Sequence, residues 1–241
     1  MKEQIALIAD IHGNVPALEA VLADIEERGI GRVFCLGDVV GKGPQSALAL
    51  DMAAERCERM VLGNWEEAVV DGWIRSAPYY QKALGAERLA LLGALPRGIF
   101  FSMSGRKVKL YHGRTTIKSV VFSNSPKEDV LAALDALDEP SDVVGFADCH
   151  QPFCRMCEAR MLFNVGSVGN PCDGVPMASY AILRGDMEGK ELSPLSVEFV
   201  RLPYDNARSA AIARTTPDLP HVEMYIQEVE TGRFSRGPAV Y

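Results

Sequence analysis

The strongest constraint on this chain is a pattern repeated five times: a short apolar run that ends in a cluster of Asp, His, Asn or Gly. Ile5 to Ala9 leads into Asp10-Ile11-His12-Gly13-Asn14, Val33 to Leu36 into Gly37-Asp38, and Met60 to Leu62 into Gly63-Asn64. Val108 to Tyr111 is followed by His112-Gly113, and Val143 to Ala147 by Asp148-Cys149-His150. Short apolar runs bounded by turn residues read as buried strands, so each cluster begins where a strand ends. Loops beyond the carboxyl ends of the strands of an open α/β sheet converge on one crevice. A lone Asp or His there would serve equally well as a turn cap, but five such ends in order point to a common site.

Asp10, His12, Asp38, Asn64, His112, Asp148 and His150 together offer more oxygen and nitrogen donors than one ion can use. Two divalent ions sharing a carboxylate is the economical reading. A donor set without thiolate suits Mn, Fe, Mg, Zn, Ni or Co.

The connecting segments read as helices. Asn14 is a candidate N-cap, with Pro16 in the first turn and an apolar stripe of Ala17, Leu18, Val21, Leu22 and Ile25 that Gly29 terminates. This makes the N-terminal strand, helix and second strand a βαβ unit. A second helix is expected over Gln45 to Arg56, and residues 66–95 read as two helical segments divided at Pro78. Ser125-Pro126-Lys127-Glu128 has the pattern of a capping box opening a helix through Leu137. Ala178 to Leu183 and Val197 to Leu202 read as strands, followed by helices near Asn206 to Ala213 and His221 to Glu230.

The series D-x-H, G-D, G-N, H-G and a final His followed by Asn164-x-Gly166-Ser167-Val168-Gly169 resembles the calcineurin-like metallophosphoesterases. Within them it is most similar to the small bacterial and archaeal phosphodiesterase group, over residues 4–203. The resemblance implies an α/β fold, a four-layer α/β/β/α sandwich with two mixed β-sheets. It also implies a metallophosphoesterase domain over residues 1–203, with residues 204–241 as a C-terminal helical extension packed on the same domain.

By the same resemblance Asp10, His12, Asp38 and His150 hold one metal ion, and Asp38, Asn64, His112 and Asp148 the other, with Asp38 bridging. The cofactors would be two divalent ions, Mn, Fe, Ni, Zn or Mg. A hydroxide shared between them would attack phosphorus in line, with Asp38, His112 and Asn64 as the catalytic set. Arg114, Trp65 and Asn14 are the candidate substrate-binding residues. The expected activity is hydrolysis of small phosphate esters by a phosphodiesterase or phosphatase, nucleotides being among the candidate substrates.

Two positions depart from the family pattern. Trp65 stands where Gly-Asn-His is usual, and Ala147-Asp148-Cys149-His150 where Gly-His-x-His is usual. A carboxylate at 148 still suits Mn, Fe or Mg but makes the centre more neutral. An indole at 65 has one N–H and no transferable proton, so help for a poor leaving group would be lost; it could instead stack on a nucleobase or aryl group. The acids that follow, Glu66 and Glu67, read as surface residues favoured by a helix dipole. The retromer small subunit resembles this family yet serves as an interaction scaffold, so a binding scaffold is the competing reading. Retention of Asp10, His12, Asp38, Asn64, His112 and His150 favours the enzyme.

At 241 residues and 48% hydrophobic, the chain can bury a full core. No run reaches the ~18 to 20 apolar residues of a membrane span, and a cytoplasmic protein is expected. A formal charge of -7 argues against bulk binding to nucleic acid or an anionic membrane. Oligomer formation is compatible with the sequence. Cys149, Cys154 and Cys157 have the spacing of part of an iron–sulfur motif. Cys154 and Cys157 nevertheless lie an odd number of residues apart, which on a strand turns them to opposite faces, so thiols without a cluster are expected.

Overall fold

The computed structural model describes residues 2–187 and 189–236. The βαβ unit opens the chain: β1 (Lys2–Ile8), α1 (Val15–Glu27) and β2 (Arg32–Cys35), with β1 and β2 parallel. There follow α2 (Ser46–Arg56), β3 (Arg59–Met60), α3 (Asn64–Asp71), α4 (Ala77–Gly93), β4 (Gly98–Met103), β5 (Arg106–Tyr111) and α5 (Lys127–Asp135). The remainder comprises β6 (Val143–Phe146), β7 (Phe153–Cys157), β8 (Arg160–Asn164), β9 (Ala178–Asp186), β10 (Ser196–Leu202), α6 (Asn206–Thr215) and α7 (Val222–Thr231). Among the described residues no helix is long and apolar enough to cross a membrane.

The strands form two five-stranded sheets, ordered β10-β9-β1-β2-β3 and β4-β5-β6-β8-β7. Both are mixed: β1, β2 and β3 run parallel, as do β5, β6 and β8, while the flanking strands are antiparallel. Alternation along β1 sorts its side chains between two interiors. Ile5 and Leu7 meet Phe34, Val108, Leu110, Val143 and Phe163 between the sheets. Ala6 and Ile8 face Val21, Ile25 and Leu50 of the helices outside the first sheet. On the far side Val144, Phe146 and Leu162 of the second sheet pack against Val130, Ala133 and Leu134 of α5. The result is the four-layer α/β/β/α sandwich with two mixed sheets. Each fully buried Leu or Ile contributes about 1.5–3 kcal/mol to holding these layers together.

Helix ends show where local signals were overridden. Asn14 Oδ1 does accept the Ala17 N–H, at 3.4 Å, with Pro16 in the first turn of α1. Residues 64–93 divide at Gly72, which adopts φ 72°, and again at Gly85 within α4, where φ is 73°, and not at Pro78, which lies in the first turn of α4. The capping box expected at Ser125 does not form. Pro126 is itself the N-cap, and Ser125 Oγ accepts the Phe122 N–H instead. Strands β4 and β8 lack a clean alternating pattern of their own, so no local signal marks them in the sequence.

The two C-terminal helices pack on each other, and α6 lies against α1. Ser209 of α6 donates to Asn14 Oδ1 at 2.7 Å, and Ala210 and Ala213 of α6 pack with Tyr225, Ile226 and Val229 of α7.

Candidate metal centre

The loops after β1, β2, β5 and β6 are laced together by backbone hydrogen bonds. Asp10 N–H donates to Gly37 O at 3.0 Å and His12 N–H to Asp38 O at 2.9 Å; Gly169 N–H and Ser167 Oγ both donate to Asp10 O. Asp10, His12, Asp38, Lys42, Asp148 and His150 all take left-handed backbone conformations, with φ between 49° and 73°. Each costs a non-glycine residue about 1–2 kcal/mol, and such strain concentrates at functional sites. Gly63 allows the β3 loop to approach this centre: a Cβ there would lie 2.3 Å from Asp38 N.

The loops bring imidazoles and carboxylates together in a buried cluster. His12 Nε2 lies 3.3 Å from His150 Nε2 and 3.8 Å from Asp10 Oδ1, and His150 Nε2 lies 3.4 Å from Asp10 Oδ1. Asp38 touches both halves, with Oδ2 3.6 Å from His12 Nε2 and Oδ1 3.4 Å from His112 Nε2. Asn64 Oδ1 is 3.0 Å from His112 Nε2. Among the described residues two groups have the spacing needed to hold a cation: Asp10, His12 and His150, and Asp10, Asp38 and His112. Cysteine belongs to neither.

The hydrogen bonds decide which ring nitrogens are available. His12 Nδ1 faces Val40 O at 3.3 Å, His112 Nδ1 faces Leu36 O at 2.6 Å, and His150 Nδ1 bonds Asn170 O. A carbonyl can only accept, so each Nδ1 carries its proton and each Nε2 is directed inward, the tautomer metal-bound histidines adopt. Burial, reinforced by the Lys42 charge, holds His12 and His150 well below the usual imidazole range. Both are then neutral, and two lone pairs face each other across 3.3 Å. Asp10 Oδ1 is buried among them and accepts no hydrogen bond. Burial, with the Asp38 and Asp148 charges, raises the Asp10 carboxyl. For His112 burial alone would lower the pKa, but the carboxylates of Asp38, Asp10 and Asp148 push it up to about 10. The donor set of this cluster fits a divalent cation.

Several of the expected site residues are engaged by other groups in this structure. Asp148 joins neither ligand group. Its carboxylate takes a forked contact from Arg114, at 2.8 Å from Nε and 2.8 Å from Nη2, and also accepts the Arg114 N–H. The nearer cation claimed it. Trp65 cannot serve as a stacking platform, being 3% exposed, with its ring against Gly41 and edge-on to His12 and Tyr80. Asn14 is 1% exposed and fully engaged by Gly169, Ala17 and Ser209. It is a helix cap and loop brace and offers no face to substrate. Glu66 is not a surface acid: it is buried, and its carboxylate accepts the N–H groups of Asp38, Val39, Val40 and Gly63. Glu67 does face outward, paired with Arg97.

Three further residues, Lys42, Asn170 and Glu228, border the centre. Lys42 is buried, its Nζ 2.8 Å from Asn170 Oδ1, and Asn170 Nδ2 donates to Glu228 of α7. The sequence marks Lys42 by Gly41-Lys42-Gly43, a lysine held between two glycines just beyond a ligand loop. A cavity of about 310 Å³ opens beside His150, lined by Lys42, Arg114, Phe122 and Phe234 among others.

Comparison with known proteins accords with this geometry. Residues 4–188 match the model of the calcineurin-like phosphoesterase superfamily domain. The chain belongs to the calcineurin-like phosphoesterase superfamily. An uncharacterized protein of Methanocaldococcus jannaschii is 30% identical over 237 residues, covering 85% of this chain and 89% of that one. The phosphodiesterase YfcE of Escherichia coli K12 is 30% identical over 192 residues, covering 74% of this chain and 86% of its own. In fold the chain is similar to the crystal structure of a metallophosphoesterase from Sphaerobacter thermophilus, with a TM-score of 0.75, 23% identity and coverage of 96% and 100%. This calcineurin-like phosphoesterase is therefore a metallophosphoesterase, and its Asp and His groups have the spacing to hold a metal ion.

Proposed function

We propose that this metallophosphoesterase is a phosphodiesterase for small phosphate esters that uses two divalent ions. The observation that carries the reading is the pair of bare Nε2 atoms of His12 and His150, 3.3 Å apart beside the unpartnered Oδ1 of Asp10. Such an arrangement is repulsive until a cation stands between the lone pairs. Asp10, His12 and His150 would hold one ion; Asp38, Asn64 and His112, with Asp10 at hand, would hold the other. The geometry makes Asp10 as good a candidate for a shared carboxylate as Asp38, while Asp148 serves Arg114.

Bound there, the ions would activate water and neutralise charge on the phosphoryl oxygens. The protein's own part is to hold the ligands before the ions arrive. Nδ1 contacts orient three imidazoles, Glu66 clamps the Asp38 loop, and the Arg114–Asp148 pair brings a guanidinium to the cavity beside His150. Diester preference is supported by the kinship with YfcE. Free thiols at all six cysteines are compatible with a cytoplasmic location.

The deciding experiment is metal analysis of the purified protein with rates on bis(4-nitrophenyl) phosphate and 4-nitrophenyl phosphate in Mn, Fe, Ni and Mg. About two ions per chain and faster diester hydrolysis are expected. Metal-loaded protein without hydrolysis of either ester would favour the binding scaffold.

A further inference from the structure

Lys42 is a buried ammonium that the metal centre does not use. It is 2% exposed and held in a left-handed conformation between Gly41 and Gly43. Of its three donor protons one meets Asn170 Oδ1, the one side-chain hydrogen bond Lys42 makes among the described residues. Glu228, the carboxylate that balances it, is linked to it through Asn170 and is also paired with the buried Arg236. Burying a charge without full compensation is costly, and the sequence has provided flanking glycines that let this one lie against the ligand loops.

What Lys42 faces gives the cost a purpose. It lines the 310 Å³ cavity together with His150, Arg114 and Asp148, so two cations, one of them paired with the Asp148 carboxylate, border the space beside one metal ligand. Val120, Phe122 and Phe234 supply apolar lining, beside Cys149, Gln151 and Cys172; Phe122 and Phe234 are 37% and 50% exposed. Phe234 follows α7, so the C-terminal segment that supplies Glu228 and Arg236 to the lysine network also supplies a wall of the cavity.

We propose that Lys42, with Arg114, forms an anion subsite that takes phosphoryl oxygens of an organic phosphate whose planar apolar group lies against Phe122 and Phe234. The subsite rests on the phosphodiesterase reading and names its substrate class: esters carrying an aryl or nucleobase-like group next to phosphorus. Two charged donors fix the phosphoryl group, and the aromatic rings select what it carries.

The test is calorimetric titration of metal-loaded protein with methylphosphonate and phenylphosphonate, neither of which is hydrolysed. Lys42→Met should weaken both by roughly 10- to 100-fold at unchanged metal content, the value of one or two charge-assisted hydrogen bonds, and Lys42→Arg should restore part of the loss. Phe234→Ala should weaken phenylphosphonate by several-fold and leave methylphosphonate as it was. Wild-type affinity in Lys42→Met overturns the subsite, as does equal loss of both ligands in Phe234→Ala. Should Lys42→Met fail to fold, wild-type crystals soaked with phenylphosphonate decide the matter. An oxygen within about 3.2 Å of Lys42 Nζ is expected, and an anion lying elsewhere overturns the proposal. Phosphonate binding by a protein that hydrolyses no ester would sink the hydrolase reading while leaving the subsite standing.

Discussion

Glu66 Oε2 accepts the backbone N–H of Asp38 at 2.7 Å, which fixes a candidate ligand by its main chain while its side chain reaches the imidazoles of the metal centre. The same carboxylate accepts from Val39, Val40 and Gly63, tying the loops after β2 and β3 into one rigid piece. Burial and the Asp38 charge push Glu66 up to about 7 against the pull of these donors. In Glu66→Gln an amide N–H group would face a backbone donor. We expect a loss of about 2–4 kcal/mol in urea unfolding, with weaker metal binding. A change below about 0.5 kcal/mol would show that the clamp is dispensable.

Asp38→Asn should lower metal-dependent hydrolysis by more than about 100-fold, since it removes a carboxylate that reaches toward both His12 and His112. The asparagine Oδ1 can still accept the Trp65 N–H, a bond now 2.8 Å long, so circular dichroism should report an intact fold. Wild-type activity and metal content in this variant would refute the two-ion site.

Metal uptake should release a proton. Without a cation the carboxylates around His112 raise its pKa to about 10, from an ordinary value of 6.5. The sign follows: the stability this histidine lends the metal-free protein is complete below about 6.5 and is lost as pH rises toward 10. A metal must displace that proton, so metal affinity should rise with pH over the same window. Titrating metal at pH 8 in buffers of differing ionisation enthalpy should show about one proton released per chain, and His112→Asn should abolish that release.

Trp65 places an indole where an imidazole would supply a proton, so aryl diesters should react far faster than alkyl diesters in the wild type. A flat dependence on leaving-group pKa would mean that another group acts as the acid. The indole is also structural, packed against Gly41, His12 and Tyr80, and Trp65→His should cost about 2–4 kcal/mol in thermal or urea unfolding.

Cys154 is exposed and Cys157 buried on β7, three positions apart and on opposite faces of the strand. Cys154→Ser with Cys157→Ser should leave the visible spectrum and hydrolysis unchanged. Loss of iron and sulfide in the double variant would instead establish a cluster.

Much of the site was legible because its signals are local. An apolar run ending in Asp-x-His or Gly-Asp specifies a strand and its ligand loop from neighbouring residues alone, and the periodicity of Ala17 to Ile25 specifies the helix between the first two strands. Asp10, His12, Asp38, Asn64, His112 and His150 could therefore be named before any contact was known. What such signals leave open is the neighbour each side chain acquires when distant loops meet. Asp148 had the right type and position for a ligand, and a guanidinium two residues beyond His112 took its carboxylate. Glu66 carried the marks of a surface acid until four backbone donors from the β2 and β3 loops enclosed it. Lys42, Asn170 and Glu228 lie far apart in the chain, and only packing α7 against the ligand loops joins them. The sequence determined which groups stand at the strand ends, because turn chemistry and strand periodicity are properties of adjacent residues. Tertiary structure alone decided which charges are buried and with whom, because desolvation and pairing depend on what arrives from elsewhere in the chain.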